Sequence, residues 1–418
     1  MNDDALRRQI RDLTTLIEVS KHLGSTTELV PLLTRVEKAA LEVLACERAS
    51  VFLYDAVAEE LYSKVATGES EIRFSAKLGV AGDAVATRSI VNVPDAYADR
   101  RFNREIDKKT GYRTRTILSI PLTGYDGAIV GVLQALNKHD AAFDHRDEEE
   151  GTILGSLAGV AIQRQMLLDE FAEKQRLVHD LEVAREIQSS LLPTDDPVVT
   201  GYDIAGWNRP ADETGGDCYD YVPMPDGSVG LLVADATGHG IGPALIVSEC
   251  RALIRALSTM TDDLAAIVSR VNDLLVRDLT GGRFVTAFFG VLKPTEHVIE
   301  YVSAGHGPLL YFHADSGVGE ELMATTLPLA VMLGLDATPG DPLRMKPGDA
   351  LILVTDGFFE WVNASGEQFG TERIFDIVRA HTEESAQHII ERLHRAAVRF
   401  GAGVPQADDL TAIIVKRQ

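Results

Sequence analysis

Aspartates stand where short apolar runs begin or end in the C-terminal half of this sequence. Asp235 closes the run VGLLVA, Asp356 closes ALILVT, and Asp408 with Asp409 directly precedes LTAIIV. Continuous apolar runs of this length predict buried β-strands. Aspartates at such strand ends would lie at the rim of a sheet, where they repel each other unless a cation lies between them.

Asp217, which follows Gly215-Gly216, completes this set of acidic positions. Carboxylate oxygens are hard ligands, so a shared cation would be Mg²⁺ or Mn²⁺ rather than a softer metal. Taken singly, each aspartate is more often a turn former or a helix cap. From the spacing alone, a metal site and a set of turn residues remain open alternatives.

The charge balance narrows the classes of partner. The chain has 40 basic and 63 acidic residues, a net charge of −23, which argues against a nucleic-acid or anionic-membrane binder because both need a cationic face. Cys46, Cys218 and Cys250 are too few and too far apart for a disulfide framework or a zinc-type pair. No signal-peptide core and no apolar run of about 18 residues is present. We therefore expect a cytoplasmic protein without a membrane partner.

The pattern along the 418 residues predicts two domains joined by a helix. Residues 1–45 have helical periodicity, residues 46–137 contain short β-rich runs, and residues 149–192 are again helical up to Pro193. Residues 197–418 alternate strands with helices, which we place at 241–258, 262–279, 371–381 and 385–400. The predicted division is a domain over 1–165, a helical linker over 166–195 and a domain over 196–418.

The linker carries a weak heptad-like ladder of apolar residues, namely Leu167, Leu177, Leu181, Ala184 and Leu191. Polar residues interrupt it, and a weak seam of this kind can change register. A helix packed on its own domain would explain the pattern. We favour a two-chain coiled coil, and hence a homodimer, because the flanking charges suit a solvated helix.

Seven segments of the C-terminal half form a recognisable series, namely AREIQSSLLP, GGDCYD, VADATGHG, SAGHGP, LVTDGFFE, NASGEQFG and QADDLTAIIV. Together they resemble PPM-type metal-dependent serine/threonine phosphatases of the bacterial SpoIIE/RsbU branch. The resemblance covers about residues 180–418 and is specific because the segments agree in order and spacing. It implies a β-sandwich flanked by helices, with a centre of two Mn²⁺ or Mg²⁺ ions.

Carried over motif by motif, the resemblance assigns a role to each aspartate. Asp235 would bridge both metals, and the backbone carbonyl of Ala236 would help to bind one. Asp356 and Asp408 would complete one metal site, Asp217 would hold the other metal, and Asp409 would support the ligands. Catalysis would then depend on Asp217, Asp235, Asp356 and Asp408.

Two further residues are candidates for a part in catalysis. His239 is placed for a general acid, but a structural role in its Gly-His-Gly turn is favoured. Arg209 is the nearest candidate for a phosphate-binding arginine, although its spacing to Asp217 departs from the family pattern. No cysteine lies in a phosphatase-type nucleophile motif, which disfavours a covalent cysteine mechanism.

The N-terminal half contains Asn137-Lys138, Phe143 and Asp147-Glu148, together with the segments GVAGDAVAT, NVPDAYADRRFN and GYRTRTILSIPL. On these features, residues 46–165 resemble a GAF domain of the branch found in cyclic-nucleotide phosphodiesterases and cyanobacterial adenylyl cyclases, whose NKFDE motif the first five residues reproduce. The resemblance implies a central antiparallel sheet with helices on one side, and a pocket for cAMP or cGMP. The glycine-containing turn at GVAGDAVA opens a helix, whose N-terminus suits a phosphate.

By motif position, the pocket comprises residues from several separate segments, namely Ser50, Ala66, Thr67, Val80, Ala81, Asn103, Asp107, Thr110, Thr114 and Gln134. Relatives often have an aromatic residue in place of Ala66 and an acid in place of Gln134, so the nucleotide stays open. A ligand-free GAF domain that only dimerises is the alternative. Lys138 and Asp147 are predicted to form a structural salt bridge.

The sequence thus predicts an α+β protein with an N-terminal GAF domain, a helical or coiled-coil linker and a PPM-type β-sandwich. Its predicted function is hydrolysis of phosphoserine or phosphothreonine on a regulatory protein, which the branch suggests is a STAS-type anti-anti-sigma factor. A small-molecule effector in the GAF domain would regulate this activity through the linker. The alternatives are a pseudophosphatase that binds a partner and, less favoured, a cyclic-nucleotide phosphodiesterase.

Overall fold

The computed structural model describes residues 25–64, 72–279 and 281–418, with positions 17, 18, 20, 21 and 23. The chain divides into two compact units, Met1–Arg176 and Leu177–Gln418. The helices of the described residues are α1 (Leu29–Val43), α2 (Gly79–Thr87), α3 (Arg104–Thr110), α4 (His145–Leu191), α5 (Ile241–Ser258), α6 (Leu264–Asp278), α7 (Asp356–Phe359), α8 (Thr371–Ala380) and α9 (Ala386–Gly401).

The strands belong to three antiparallel sheets. Those of the N-terminal unit are β1 (Cys46–Asp55), β2 (Glu60–Ser63), β3 (Ile72–Ser75), β4 (Val91–Val93), β5 (Ile117–Thr123) and β6 (Ile129–Lys138). Those of the C-terminal unit are β7 (Tyr202–Arg209), β8 (Asp217–Pro223), β9 (Val229–Ala236), β10 (Val285–Lys293), β11 (Val298–Ala304), β12 (Leu309–His313), β13 (Val318–Leu322), β14 (Leu343–Arg344), β15 (Ala350–Val354) and β16 (Leu410–Arg417).

The N-terminal unit is one six-stranded sheet in the order β3-β2-β1-β6-β5-β4. Alternation along β1 divides its side chains between two cores. Val51 and Leu53 pack with α1 and α4 on one face, whereas Phe52 and Tyr54 face the core that includes α2 on the other. Both faces are therefore packed against helices, so the expectation of helices on one side only is wrong.

The predicted helix over residues 1–45 is wrong at one point, because residues 25–28 are not helical and α1 begins only at Leu29. Ser25, Thr26 and Thr27 lie in this break, and short hydroxyl side chains compete with the helical backbone for hydrogen bonds. Leu6, Ile10 and Leu13, which belong to the first half of that prediction, lie outside the described residues.

The C-terminal unit is a sandwich of two five-stranded sheets, β14-β11-β10-β9-β8 and β13-β12-β15-β16-β7. On β9, Leu231 and Val233 enter the core between the sheets, whereas Leu232 and Ala234 pack toward α5 and α6. The opposite sheet is covered by α8 and α9. This architecture confirms the predicted α+β class with a β-sandwich flanked by helices.

Among the described residues, no helix has the combination of length and apolar character that a membrane crossing requires.

Candidate functional site

The aspartates predicted from strand ends do converge at one rim of the sandwich. Asp217 at the start of β8 is the ladder partner of Asp235 near the end of β9. In the other sheet, Asp356 follows β15 and Asp409 precedes β16, and these two strands are themselves paired. Because β8 and β9 belong to one sheet and β15 and β16 to the other, the rim collects carboxylates from both layers.

Asp217 joins the two sheets directly. Its Oδ2 accepts hydrogen bonds from Thr355 Oγ1 and Thr411 Oγ1, each at 2.7 Å. The Thr411 hydroxyl also accepts from the Asn208 side chain at 2.8 Å. These bonds hold the Asp217 carboxylate, which is 4% exposed, in one orientation at the floor of the rim.

Asp409 secures the loop that leads into β8. Its Oδ1 accepts from the Ala211 amide at 2.7 Å, and its Oδ2 accepts from the Asp217 amide at 3.3 Å. The neighbouring Asp408 is exposed, and its Oδ1 accepts from the Asp409 amide at 2.8 Å. Asp409 is therefore turned inward onto backbone donors, while Asp408 faces outward.

The rim carboxylates disturb one another electrostatically. Burial, followed by the negative charges of Asp356 and Asp408, raises the pKa of Asp235 to about 7. Burial and the charge of Asp408 raise the pKa of Asp356 to about 6. Burial and Asp235 also raise the pKa of Asp217, against the lowering effect of its threonine donors. A divalent cation at the rim would relieve this repulsion, so the donor set fits Mg²⁺ or Mn²⁺.

Two observations describe the pairing and the spacing of the rim carboxylates. Within the described residues, no salt bridge reaches Asp217, Asp235, Asp356 or Asp408. Across the same residues, no set of three or more His, Cys, Asp or Glu side chains is close enough to hold one ion. The carboxylates are thus near enough to shift each other's pKa, but they are not drawn together into a chelate.

The remaining phosphatase-motif residues occupy distinct positions. Ala236 is fully buried, does not have a positive φ, and its amide donates to the Gly216 carbonyl at 3.0 Å, so alanine fits here without strain. His239 is exposed in its turn, with Nδ1 3.0 Å from Asp212. Arg209 Nη1 lies 3.0 Å from the His394 ring, at the end of β7.

Three residues of this site were missed in the sequence. Thr355 and Thr411 stand beside predicted aspartates, in LVTDG and DDLT, but nothing local marks them as donors to Asp217. Gln188 lies in the AREIQSSLLP segment, and its amide bonds with the Gly215 backbone. Its position within a motif shared with the family was the available signal.

The N-terminal unit brings part of the predicted nucleotide pocket to one face of its sheet. Ser50 on β1 and Gln134 on β6 are ladder partners, and Gln134 Nε2 donates to Ser119 Oγ at 3.0 Å. By alternation, these side chains share the face that packs with Val80 and Ala81 at the start of α2. A polar strip therefore lies on the same face as a helix N-terminus.

Other predicted pocket residues already have partners. Asn103 caps α3 by accepting from the Glu105 amide at 3.1 Å. Asp107 accepts from the Thr114 amide at 2.7 Å and from the Thr114 hydroxyl at 2.8 Å. Ala66 and Thr67 lie outside the described residues, as does the side chain of Thr110.

The predicted salt bridge between Lys138 and Asp147 is confirmed, with Nζ 2.5 Å from Oδ1. Asp147 is buried, and its Oδ2 accepts from the Asp144 amide at 2.8 Å. The pair joins the end of β6 to the first turn of α4, which is a structural task.

Comparison with known families assigns both units. The family model for stage II sporulation protein E (SpoIIE) matches residues 225–418, and the GAF domain model matches residues 28–162. The C-terminal domain belongs to the SpoIIE-type PPM phosphatases, and the N-terminal domain is a GAF domain. The carboxylate rim lies in the phosphatase domain, and the polar strip lies in the GAF domain.

Individual relatives match part of this chain. Phosphoserine phosphatase RsbU of Bacillus subtilis (strain 168) is 25% identical over 262 residues, covering 62% of this chain and 76% of its own. The probable 3',5'-cyclic phosphodiesterase pde-5 of Caenorhabditis elegans is 33% identical over 156 residues, covering 34% of this chain. This chain spans only 21% of that phosphodiesterase, so the likeness concerns one domain.

A solved structure supports the fold of the phosphatase domain. The SiaA-PP2C domain of Pseudomonas aeruginosa superposes with a TM-score of 0.51 at 23% identity, covering 59% of this chain and 98% of that domain. At this identity the likeness establishes the fold.

Proposed function

We propose that this chain is a metal-dependent serine/threonine protein phosphatase that removes phosphate from a regulatory protein. The observation that carries the proposal is the rim of mutually repelling carboxylates in a PPM-type domain. Such a rim lowers the stability of the domain unless a cation is bound. Carboxylates arranged in this way are typical of sites that bind a metal or carry out catalysis. The relative RsbU, itself a phosphoserine phosphatase, supports the same reaction class.

Two Mn²⁺ or Mg²⁺ ions would be held by the oxygen donors of the rim, namely Asp217, Asp235, the Ala236 carbonyl, Asp356, Asp408 and Asp409. When bound, such a pair supplies a water of lowered pKa and a clamp for phosphate oxygens. The chain itself supplies orientation. Thr355 and Thr411 hold the Asp217 carboxylate, and Asp409 holds the loop before β8.

The decisive experiment is phosphate release by the full chain from a phosphoserine protein, with Mn²⁺ or with chelator. We expect metal-dependent release that Asp356→Asn lowers by more than about 100-fold, because even residues that only support metal ligands account for about 10–100-fold. Asp336→Asn is the matched control on the same domain. Release that is independent of metal, or indifferent to Asp356→Asn, would contradict the proposal.

The proposed substrate is a phosphorylated STAS-type anti-anti-sigma factor, on the strength of the resemblance to the SpoIIE/RsbU branch. A phosphorylated STAS domain and an unrelated phosphoserine peptide should be compared at equal concentration. A preference of at least tenfold in kcat/KM for the STAS domain is expected. Equal rates on both would remove this substrate class from the proposal.

The proposed effector of the GAF domain is cAMP or cGMP. Ser50, Gln134 and the start of α2 lie on one face of the sheet, where a helix N-terminus offers amide donors to a phosphate. Calorimetric titration of the full chain with each nucleotide tests this, with Gln134→Leu as the variant and Glu149→Gln as control. Absence of heat with both nucleotides would contradict this effector and would leave a GAF domain that binds a different ligand or none.

We further propose that the chain is a cytoplasmic homodimer whose α4 helices associate and carry the effector signal. In the GAF unit, Ile153, Val160, Leu167 and Phe171 are 42–61% exposed and follow one another at steps of seven, seven and four. That spacing is typical of a coiled-coil seam. Light scattering of wild type and Phe171→Glu measures the association.

A second function, a pseudophosphatase that binds a partner through the same rim, is favoured by one observation. Within the described residues, the carboxylates do not stand at ligand spacing. Binding of the partner protein, measured with chelator and with Mn²⁺, separates the two functions. A pseudophosphatase would bind its partner equally well under both conditions.

A further inference from the structure

The last turns of α4 contact the phosphatase domain through the Gln188 side chain. Gln188 Nε2 donates to the Gly215 carbonyl at 2.6 Å, and the Gly215 amide donates to Gln188 Oε1 at 3.0 Å. Both ends of one side-chain amide therefore engage both polar groups of one residue, much as a β-ladder partner would. A two-point contact of this kind fixes the orientation of the backbone as well as its position.

The backbone held by Gln188 is packed against the metal centre on its other side. A Cβ added at Gly215 would lie 2.5 Å from Asp409 Oδ2, so the Asp409 carboxylate rests directly on this peptide. A Cβ added at Gly216 would lie 2.7 Å from the Ala236 carbonyl oxygen. A side chain at Gly215 would displace the Asp409 carboxylate, and a side chain at Gly216 would press on the Ala236 carbonyl oxygen.

The same short segment leads into Asp217. The Gly216 carbonyl accepts from the Ala236 amide at 3.0 Å, and the next residue is Asp217, whose amide donates to Asp409. Gly215 and Gly216 therefore touch three groups of the proposed metal centre: Asp217, the Ala236 carbonyl and Asp409. A shift of this segment by a fraction of an ångström would move donors from both sheets.

We propose that Gln188 is a positioning residue through which the C-terminal end of α4 sets the geometry, and hence the metal affinity, of the carboxylate rim. This inference rests on the proposed phosphatase function and names its point of control. When α4 turns or slides, the Gln188 amide leaves Gly215, and the peptide under Asp409 is released. The rim then loses its ordered donors without any change in the aspartates themselves.

The test is the Mn²⁺ dissociation constant of the full chain, measured by calorimetry or by the electron paramagnetic resonance of free Mn²⁺. Gln188→Met keeps the length and helical preference of the side chain but removes its donor and acceptor. Glu186→Met, an exposed change to the same residue type two positions earlier on α4, is the matched control. We expect about tenfold weaker Mn²⁺ binding for Gln188→Met and no change for Glu186→Met.

A purely structural role is separated by kinetics. If Gln188 positions the rim, phosphate release by Gln188→Met should need about tenfold more Mn²⁺ for half-maximal rate, while kcat at saturating Mn²⁺ stays within about twofold of wild type. Gln188→Asn, which is polar but one methylene too short to make both bonds, should behave in the same way. It keeps the test valid if Gln188→Met folds poorly.

Two results would overturn the inference. In the first, the wild-type chain binds Mn²⁺ and releases phosphate, and both Gln188 variants bind Mn²⁺ with wild-type affinity. This result would refute the positioning role of Gln188 and leave the phosphatase proposal intact. A wild-type chain that binds no Mn²⁺ would refute both.

Discussion

Buried carboxylates of the GAF domain are matched by donors, whereas those at the rim of the phosphatase domain face one another. Asp147 is paired with Lys138, and Asp107 accepts from Thr114 and Tyr97. Asp235 and Asp356, in contrast, have their pKa raised by burial and by neighbouring carboxylates. A carboxylate paired with a donor or a cation increases the free energy of unfolding. A group of carboxylates that face one another decreases it unless a cation is bound.

The difference belongs to the rim and not to the whole phosphatase domain. Asp220, three residues after Asp217 on β8, is fully buried and is paired with Arg251 and Arg255. The same strand therefore carries one carboxylate that is paired with arginines and one, Asp217, whose pKa is raised by burial and by the neighbouring Asp235. The fold supplies two arginines to Asp220 but, among the described residues, no salt-bridge partner to Asp217, which is what the proposed metal site requires.

The largest expected effect is on the GAF domain. Asp147→Asn should destabilise it by about 2–3 kcal/mol, because the substitution leaves the half-buried Lys138 ammonium without its counter-charge. Calorimetric unfolding of the full chain measures the shift of the GAF transition. Glu149→Gln, an exposed change in the same turn of α4, is the control. Equal transitions for both variants would show that the pair contributes nothing.

Asp235→Asn should have the opposite sign in chelator. Removing one charge from the repelling group should stabilise the metal-free phosphatase domain at pH 8 by about 1 kcal/mol or more, because a carboxylate whose pKa is raised on folding lowers stability above that pKa. Asp220→Asn is the paired counterpart on the adjacent strand and should destabilise the same domain. If both variants are less stable than wild type, the rim carboxylates do not lower stability, and the contrast between Asp235 and the paired Asp220 is wrong.

Thr411→Val tests how much one hydrogen bond to Asp217 contributes to metal binding at the rim. The valine keeps the shape of the side chain but removes one of the two hydroxyls that hold Asp217. Mn²⁺ affinity should fall about tenfold, as expected for loss of a group that orients a metal ligand. Thr259→Val is the control. It removes an exposed hydroxyl that bonds only locally at the end of α5, and it should leave Mn²⁺ binding unchanged.

The smallest effect is an acid dependence of the GAF domain. Hydrogen bonds from Asn137, Arg115 and Tyr112 lower the pKa of Glu47 to about 2. A carboxylate with a lowered folded pKa stabilises above its unfolded pKa of about 4.5, and this contribution is lost as the pH falls from there toward 2. Wild type should therefore exceed Glu47→Gln in GAF stability at pH 6, with the difference shrinking below pH 4.5. A constant difference would contradict this.

Several elements of the fold were predictable because their signals are local. The strands VGLLVA, ALILVT and LTAIIV are apolar runs that only a doubly covered sheet can bury, and each was found within one or two residues of its predicted bounds. The helix over 241–258 was also predicted correctly. The break before α1 was not, since apolar periodicity continues on both sides of it.

What the sequence alone determined was the chemistry available at the rim. The aspartates are adjacent to strand ends, and a strand end must lie at the edge of its sheet, so their place followed from local pattern. Only the tertiary structure decided how they are held. Thr411 is 194 residues from Asp217, and Gln188 is 27 residues from Gly215. Such contacts depend on how two sheets and a helix pack together, which no local periodicity encodes.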